Sequence, residues 1–108
     1  MKNMNQTISN KLQNFFPEYP IEKAWLFGSY ARGEETAKSD VDILVRFIES
    51  AEISLFDHIR IMQKLEKIIQ KKVDLVEDGG IKNFAKDSVE KEKILIYERK
   101  TKEKEKLD

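Results

Sequence analysis

Between Asp40 and Phe47 the chain alternates, and that alternation constrains the fold more than any other stretch. Val41, Ile43, Val45 and Phe47 are apolar, whereas Asp40, Asp42 and Arg46 are polar and only Leu44 breaks the pattern. A period of two belongs to a β-strand, in which successive side chains leave opposite faces. One face of this strand must therefore enter a core. The other carries Asp40 and Asp42 on the same side, close enough to share one cation, and Leu44 shows that this second face is not wholly solvated.

The neighbouring segments supply partners for such a strand. Ala24-Trp25-Leu26-Phe27, at the end of a run starting at Ile21, lies between Pro20 and Gly28 and reads as a second, buried strand. Lys72-Val73-Asp74-Leu75-Val76 alternates as well and adds a third strand carboxylate, Asp74. Helical periods separate these runs. Ile8, Leu12, Phe15 and Phe16 form a stripe closed by Pro17 and Pro20, and a short turn of helix is expected between Tyr30 and Glu35. Ser54 with Asp57 has the spacing of a capping box, ahead of the row Leu55, Ile59, Met62, Leu65 and Ile69. Ile81 to about Glu92 reads as a last helix, after which Ile94-Leu95-Ile96-Tyr97 is either a short strand or its continuation. Strands and helices alternate along one domain over residues 1–97, followed by a charged tail over 98–108 that reads as frayed or disordered.

Composition narrows the function. The 108 residues hold 20 lysines plus arginines and 20 aspartates plus glutamates, so no net field draws the chain to DNA or an anionic membrane. Direct DNA binding is not expected. Cysteine is absent, which leaves oxygen ligands and the single histidine, His58, and favours a hard cation such as magnesium. His58 itself reads as a partly exposed helical residue. The first residues, polar from Met1 to Thr7, lack the apolar centre of a secretory signal, and no apolar run is long enough to span a membrane; the expected location is the cytoplasm. A domain this small is expected to borrow surface from a partner.

Gly28-Ser29 leaves the first strand in a tight turn. Glycine lets backbone approach a phosphate closely, and the Ser29 hydroxyl and nearby N–H groups can hydrogen-bond it. Arg32 either contacts a triphosphate through its guanidinium or forms a surface ion pair with Glu34 or Glu35. Nucleotidyl transfer needs an attacking oxygen, an α-phosphate and a departing pyrophosphate in line, and two divalent ions about 3.5 to 4 Å apart can stabilise the charge that grows there. Asp40, Asp42 and Asp74 have the ligand chemistry for such a pair of ions. Tyr30 and Trp25 read as packing groups, and the lysine-rich segments, interleaved with glutamate, as solvated helix surface.

Gly28-Ser29, ten intervening residues and then Asp40-Val41-Asp42, within the fuller string Gly-Ser-x-Ala-Arg-Gly and Ser-Asp-x-Asp-Ile-Leu-Val, resembles the signature of the DNA polymerase β-like nucleotidyltransferase superfamily. From Ile8 to Tyr97 the chain resembles its smallest branch, the minimal nucleotidyltransferases (MNT). The resemblance implies an α/β, polymerase β palm-like fold with a mixed β-sheet packed with α-helices, ATP as co-substrate and two Mg2+ ions. It further implies that Gly28 and Ser29 hold phosphate, that Asp40 and Asp42 bind both metals, and that Asp74 binds the metal serving the nucleophile. It also implies a partner, a HEPN-family ribonuclease toxin, with the chain acting as antitoxin by transferring AMP to a toxin tyrosine. Two alternatives stand beside this: a catalytically silent module that neutralises the toxin by occlusion, and an enzyme modifying a small hydroxylated molecule of the aminoglycoside type.

Overall fold

The computed structural model describes residues 4–78 and 89–100. A helix α1 (Met4–Phe15) runs into a single 3-10 turn, Phe16–Glu18, where Pro17 fits because the opening turn of a helix has no use for its missing N–H. Strand β1 (Ile21–Phe27) follows, then a short helix α2 (Ser29–Arg32), strand β2 (Val41–Phe47), helix α3 (Leu55–Ile69), strand β3 (Val73–Glu77) and strand β4 (Ile94–Glu98). The expected helix from Ile81 to Glu92 lies largely outside the described residues, of which 89–92 are helical. Residues 94–97 belong to β4, so a strand and not a prolonged helix occupies them.

The four strands form one mixed sheet in the order β3-β2-β1-β4. β1 is antiparallel to both β2 and β4, and β2 is parallel to β3 across the α3 crossover. A parallel pair needs such a crossover because its strands must restart at the same end. The sheet's inner face joins Ala24, Leu26, Val41, Ile43, Val45, Val73 and Leu75 to Ile8, Leu12 and Phe15 of α1 and to Ile61, Leu65 and Ile69 of α3. Tyr30 is fully buried in this core, as a packing residue.

Two expectations need correction. Leu55 and Ile59 do not enter the core; both are exposed, and the row that α3 buries is Ile61, Leu65 and Ile69. α3 has apolar residues on more than one face, and only one face can meet the sheet. Because α3 leads straight into β3 and packs on it, its C-terminal half takes that position. The second correction concerns the tail. Glu98 ends β4, and the Arg99 guanidinium donates to the carbonyls of Tyr19 at 2.6 Å and Ile21 at 3.1 Å. The fork of donors on one arginine tethers the chain beyond residue 97. Residues 101–108 lie outside the described set.

Candidate active site

β1 and β2 are paired so that Phe27 faces Asp42, which brings the Gly28 turn over the start of β2. Gly28 has φ +71° and ψ −150°, a conformation open essentially to glycine alone. The reason for a glycine is equally steric. A Cβ at Gly28 would stand 2.1 Å from Asp42 Oδ2 and 3.0 Å from its Cγ, so the carboxylate occupies the space a side chain would need. α2 begins at Ser29, where Glu34 N–H donates to the Ser29 carbonyl at 2.9 Å and folds the chain back on itself. Gly33, at φ +73°, closes this turn.

The carboxylates gather from two strands. β2 and β3 are in parallel register with Asp42 opposite Asp74, so the two side chains leave the same face from strands about 4.8 Å apart. Asp40 stands two residues before Asp42, just ahead of the strand, and is exposed. The approach is fixed by backbone and side chains together. Val41 N–H donates to the Lys72 carbonyl at 2.9 Å, and Glu66 of α3 accepts from Val73 N–H at 3.0 Å. Lys71 Nζ donates to the Ala37 carbonyl at 3.0 Å, tying the 34–39 loop to the start of β3, and Ser39 Oγ accepts from Thr36 N–H at 2.8 Å just before Asp40.

Electrostatics single out Asp42. Its pKa is pushed up to about 6, first by burial and then by the negative charges of Asp74 and Asp40, with Arg32 opposing. Repulsion within an all-oxygen donor set is the condition that a hard cation relieves. The residues therefore fit magnesium in the kind of donor they offer. Among the described residues no three acidic or imidazole side chains close into a ready-made cage.

Arg32 resolves into an ion pair. Its Nε lies 2.8 Å from Glu34 Oε1 and one terminal nitrogen 3.1 Å from Glu92 Oε1, contacts that push its pKa upward. Glu34 was foreseeable from its spacing. Glu92, sixty residues away, was not, and no local signal in the sequence marks it. His58 is a structural residue: Nε2 lies 2.8 Å from the Leu75 carbonyl, so that nitrogen carries the proton, and the ring meets Phe47 edge-on. Trp25 and Leu44 face each other across β1 and β2 on the carboxylate face and are both buried. Arg46 and Lys93 flank the indole at 5.4 and 4.2 Å from its centroid, and Arg46, paired with Asp78 at 2.8 Å, stands toward the other end of β2 from Asp42. A cleft of about 710 Å3 between α1 and α3, lined by Lys11, Phe15, Tyr19, Lys64, Lys67 and Ile68 among others, includes none of the candidate site residues.

Comparison with known proteins agrees with this geometry. The family model for polymerase β-type nucleotidyltransferases matches residues 10–102. A Methanocaldococcus jannaschii protein named for protein adenylyltransferase activity is 41% identical over 80 residues, covering 73% of this chain and 80% of the relative. The protein adenylyltransferase MntA of Thermococcus cleftensis is 36% identical over 78 residues, covering 72% and 77%. Among solved structures, one described as a minimal nucleotidyltransferase superposes with a TM-score of 0.69 at 28% identity, covering 86% of this chain and 95% of that one. The fold also matches the structure of a tri-AMPylated Shewanella oneidensis HEPN toxin in complex with its MNT antitoxin, with a TM-score of 0.67 at 20% identity, covering 91% and 76%. Among the described residues, no helix is long and apolar enough to cross a membrane. A glycine turn seated against one of two facing strand carboxylates, in a chain matched almost end to end by this family's model, places the protein in the polymerase β-type nucleotidyltransferase family, and it is a nucleotidyltransferase.

Proposed function

We infer that this chain is a protein adenylyltransferase that acts as an antitoxin in the cytoplasm, moving AMP from ATP to a tyrosine hydroxyl of a HEPN-type ribonuclease toxin. The observation that carries the reading is the in-register pair Asp42 and Asp74, with Asp40 near enough for its charge to act on Asp42 and Gly28 seated against Asp42. Support also comes from relatives named as protein adenylyltransferases and from the likeness to an MNT antitoxin bound to its toxin.

In the transfer, the tyrosine oxygen forms a bond to the α-phosphorus, the bridging bond to the β-phosphate breaks, and pyrophosphate leaves as the phenolic proton is lost. Two magnesium ions held by Asp40, Asp42 and Asp74 would supply positive charge to the phosphate oxygens as this proceeds. Gly28 and Ser29 border the carboxylates and offer the triphosphate a backbone it can approach closely, together with a hydroxyl. Arg32 is held near Asp42 by Glu34 and Glu92, from where its guanidinium lowers the repulsion that Asp42 experiences and can meet a phosphate. Half-burial of Asp42 thins the water around it and strengthens each of these interactions.

The test is mass spectrometry of a purified HEPN toxin incubated with this chain, ATP and magnesium. Mass increments in units of AMP on a tyrosine are expected, and none with Asp42→Asn. An unmodified toxin that is nevertheless neutralised, with Asp40→Ala and Asp42→Ala as protective as the parent, would replace transfer by occlusion.

A further inference from the structure

α3 opens on Leu55 and Phe56, which are 71% and 75% exposed, with Ile59 also exposed one turn further on. These are not fraying ends. The Ser54 hydroxyl accepts from Asp57 N–H at 3.1 Å while Asp57 accepts from Ser54 N–H at 3.0 Å, so the turn that presents them is pinned by a complete capping box. Large apolar side chains held out on rigid backbone mark a surface made to be covered. Beside them lies a cleft of about 260 Å3 lined by Ile53, Ser54, Leu55, His58 and Glu77, and Ile53 also borders a second cleft with Glu52.

The charge around this patch selects its occupant. Asp57 is engaged by its cap and by Arg60 at 3.1 Å, which removes both from the account. Glu52 and Glu77 have no ion pair among the described residues and leave the rim acidic in a chain whose net charge is zero. Glu77 ends β3, an outer strand of the sheet, and Asp74 stands three residues earlier on the same strand, about 10 Å away along it and on the opposite face.

We propose that Leu55, Phe56 and Ile59, with the acidic rim of Glu52 and Glu77, form the docking surface for the acceptor protein, which presents an apolar segment flanked by basic residues. This rests on the reading of the chain as a protein-modifying transferase and adds how the acceptor is held. Seated there, the acceptor is anchored at the far end of β3 from the carboxylates, and because β3 is an edge strand a segment of the acceptor can pass round that edge to reach them. The same surface offers nothing to ATP.

The experiment uses the full chain and a purified HEPN toxin, comparing the parent with Leu55→Ser/Phe56→Ser and, separately, with Glu52→Lys/Glu77→Lys. Thermal unfolding of each variant establishes that it is folded; the exposed serines are not expected to lower stability. The expected result is a rise of about tenfold or more in the KM for toxin and a matching loss of complex by calorimetry, with ATP binding unchanged. The charge-reversed variant should also lose the salt dependence of complex formation. A complex of parental affinity in the serine variant overturns the docking surface while leaving the transferase reading intact. A parent chain that neither binds nor modifies the toxin overturns both. Sedimentation that shows a dimer of the parent alone, dissociated by the serine substitutions, assigns the patch to a second copy and overturns the proposal.

Discussion

Asp57 and Asp42 are the same residue type put to opposite uses. At the start of α3, Asp57 receives the Ser54 N–H and the Arg60 guanidinium, and these contacts hold its carboxyl below the usual range. At the start of β2, Asp42 is half-buried against Asp74 and Asp40, and its pKa rises to about 6. The first carboxylate is completed by the fold; the second is left in conflict with it. A charge that stabilises the native chain finds its partners inside the chain, whereas one meant for a ligand is kept short of them.

The sharpest break in this contrast is Asp42→Asn. Losing a carboxylate that answers several kcal/mol of transition-state charge should lower AMP transfer about 10^3-fold, measured as pyrophosphate release with toxin present. The same variant should be more stable than the parent at pH 7, by about 1 kcal/mol once solvent screening of a half-exposed group is allowed for. A Tm that falls would mean Asp42 is a structural residue after all.

Gly28→Ala attacks the site from its other side. A methyl 2.1 Å from Asp42 Oδ2, on backbone at φ +71°, should cost about 2 kcal/mol and push the carboxylate aside. Denaturant titration reads the first effect, and transfer rates should fall with it. Undiminished stability would show that the turn relaxes around the new side chain.

Ser54→Ala probes the satisfied carboxylate. Removing the cap should cost about 1 kcal/mol by urea denaturation while ATP binding stays unchanged.

The smallest effect is a difference of slopes with pH. For Asp42 the folded pKa of about 6 exceeds the unfolded value, so the folded state binds more protons between about pH 4 and 6, and stability declines as pH rises through that window. For Asp57 the folded pKa is depressed, so its contribution is present above the unfolded value and fades as pH falls below about 4. Asp42→Asn should flatten the first slope alone, and Ser54→Ala should weaken the second alone. Denaturation midpoints from pH 3 to 7.5 measure both.

How much of this could be read from residues depended on whether the information was local. The alternation in β2, the third carboxylate in β3 and the Ser54–Asp57 cap are each set by neighbours within a few positions, and all three stand in the structure as the patterns required. The buried face of α3 was not legible, because its apolar residues outnumber the positions on one face and only the sheet decides between them. Glu92 beside Arg32 joins residues sixty apart in the chain, which no spacing encodes; that the Gly28 turn and Asp42 belong together was legible in their spacing, but not that the Asp42 carboxylate fills the space a side chain at residue 28 would need. Trp25 was recognisable as buried, but its place on the carboxylate face between Arg46 and Lys93 follows from strand register.

The parallel pairing of β2 with β3 also sets an order of events for the newly made chain. Gly28 meets Asp42 through an antiparallel pairing closed by a short connection, whereas Asp74 arrives 32 residues after Asp42 and only once α3 has crossed back over the sheet. Contacts of long sequence separation form late, since the entropy of closing the loop must be met first. A partly folded molecule can therefore hold the turn with Asp40 and Asp42 while lacking Asp74. On the proposed reading of the site, such a molecule lacks one of the charges that transfer needs, so competence waits for β3 to join the sheet.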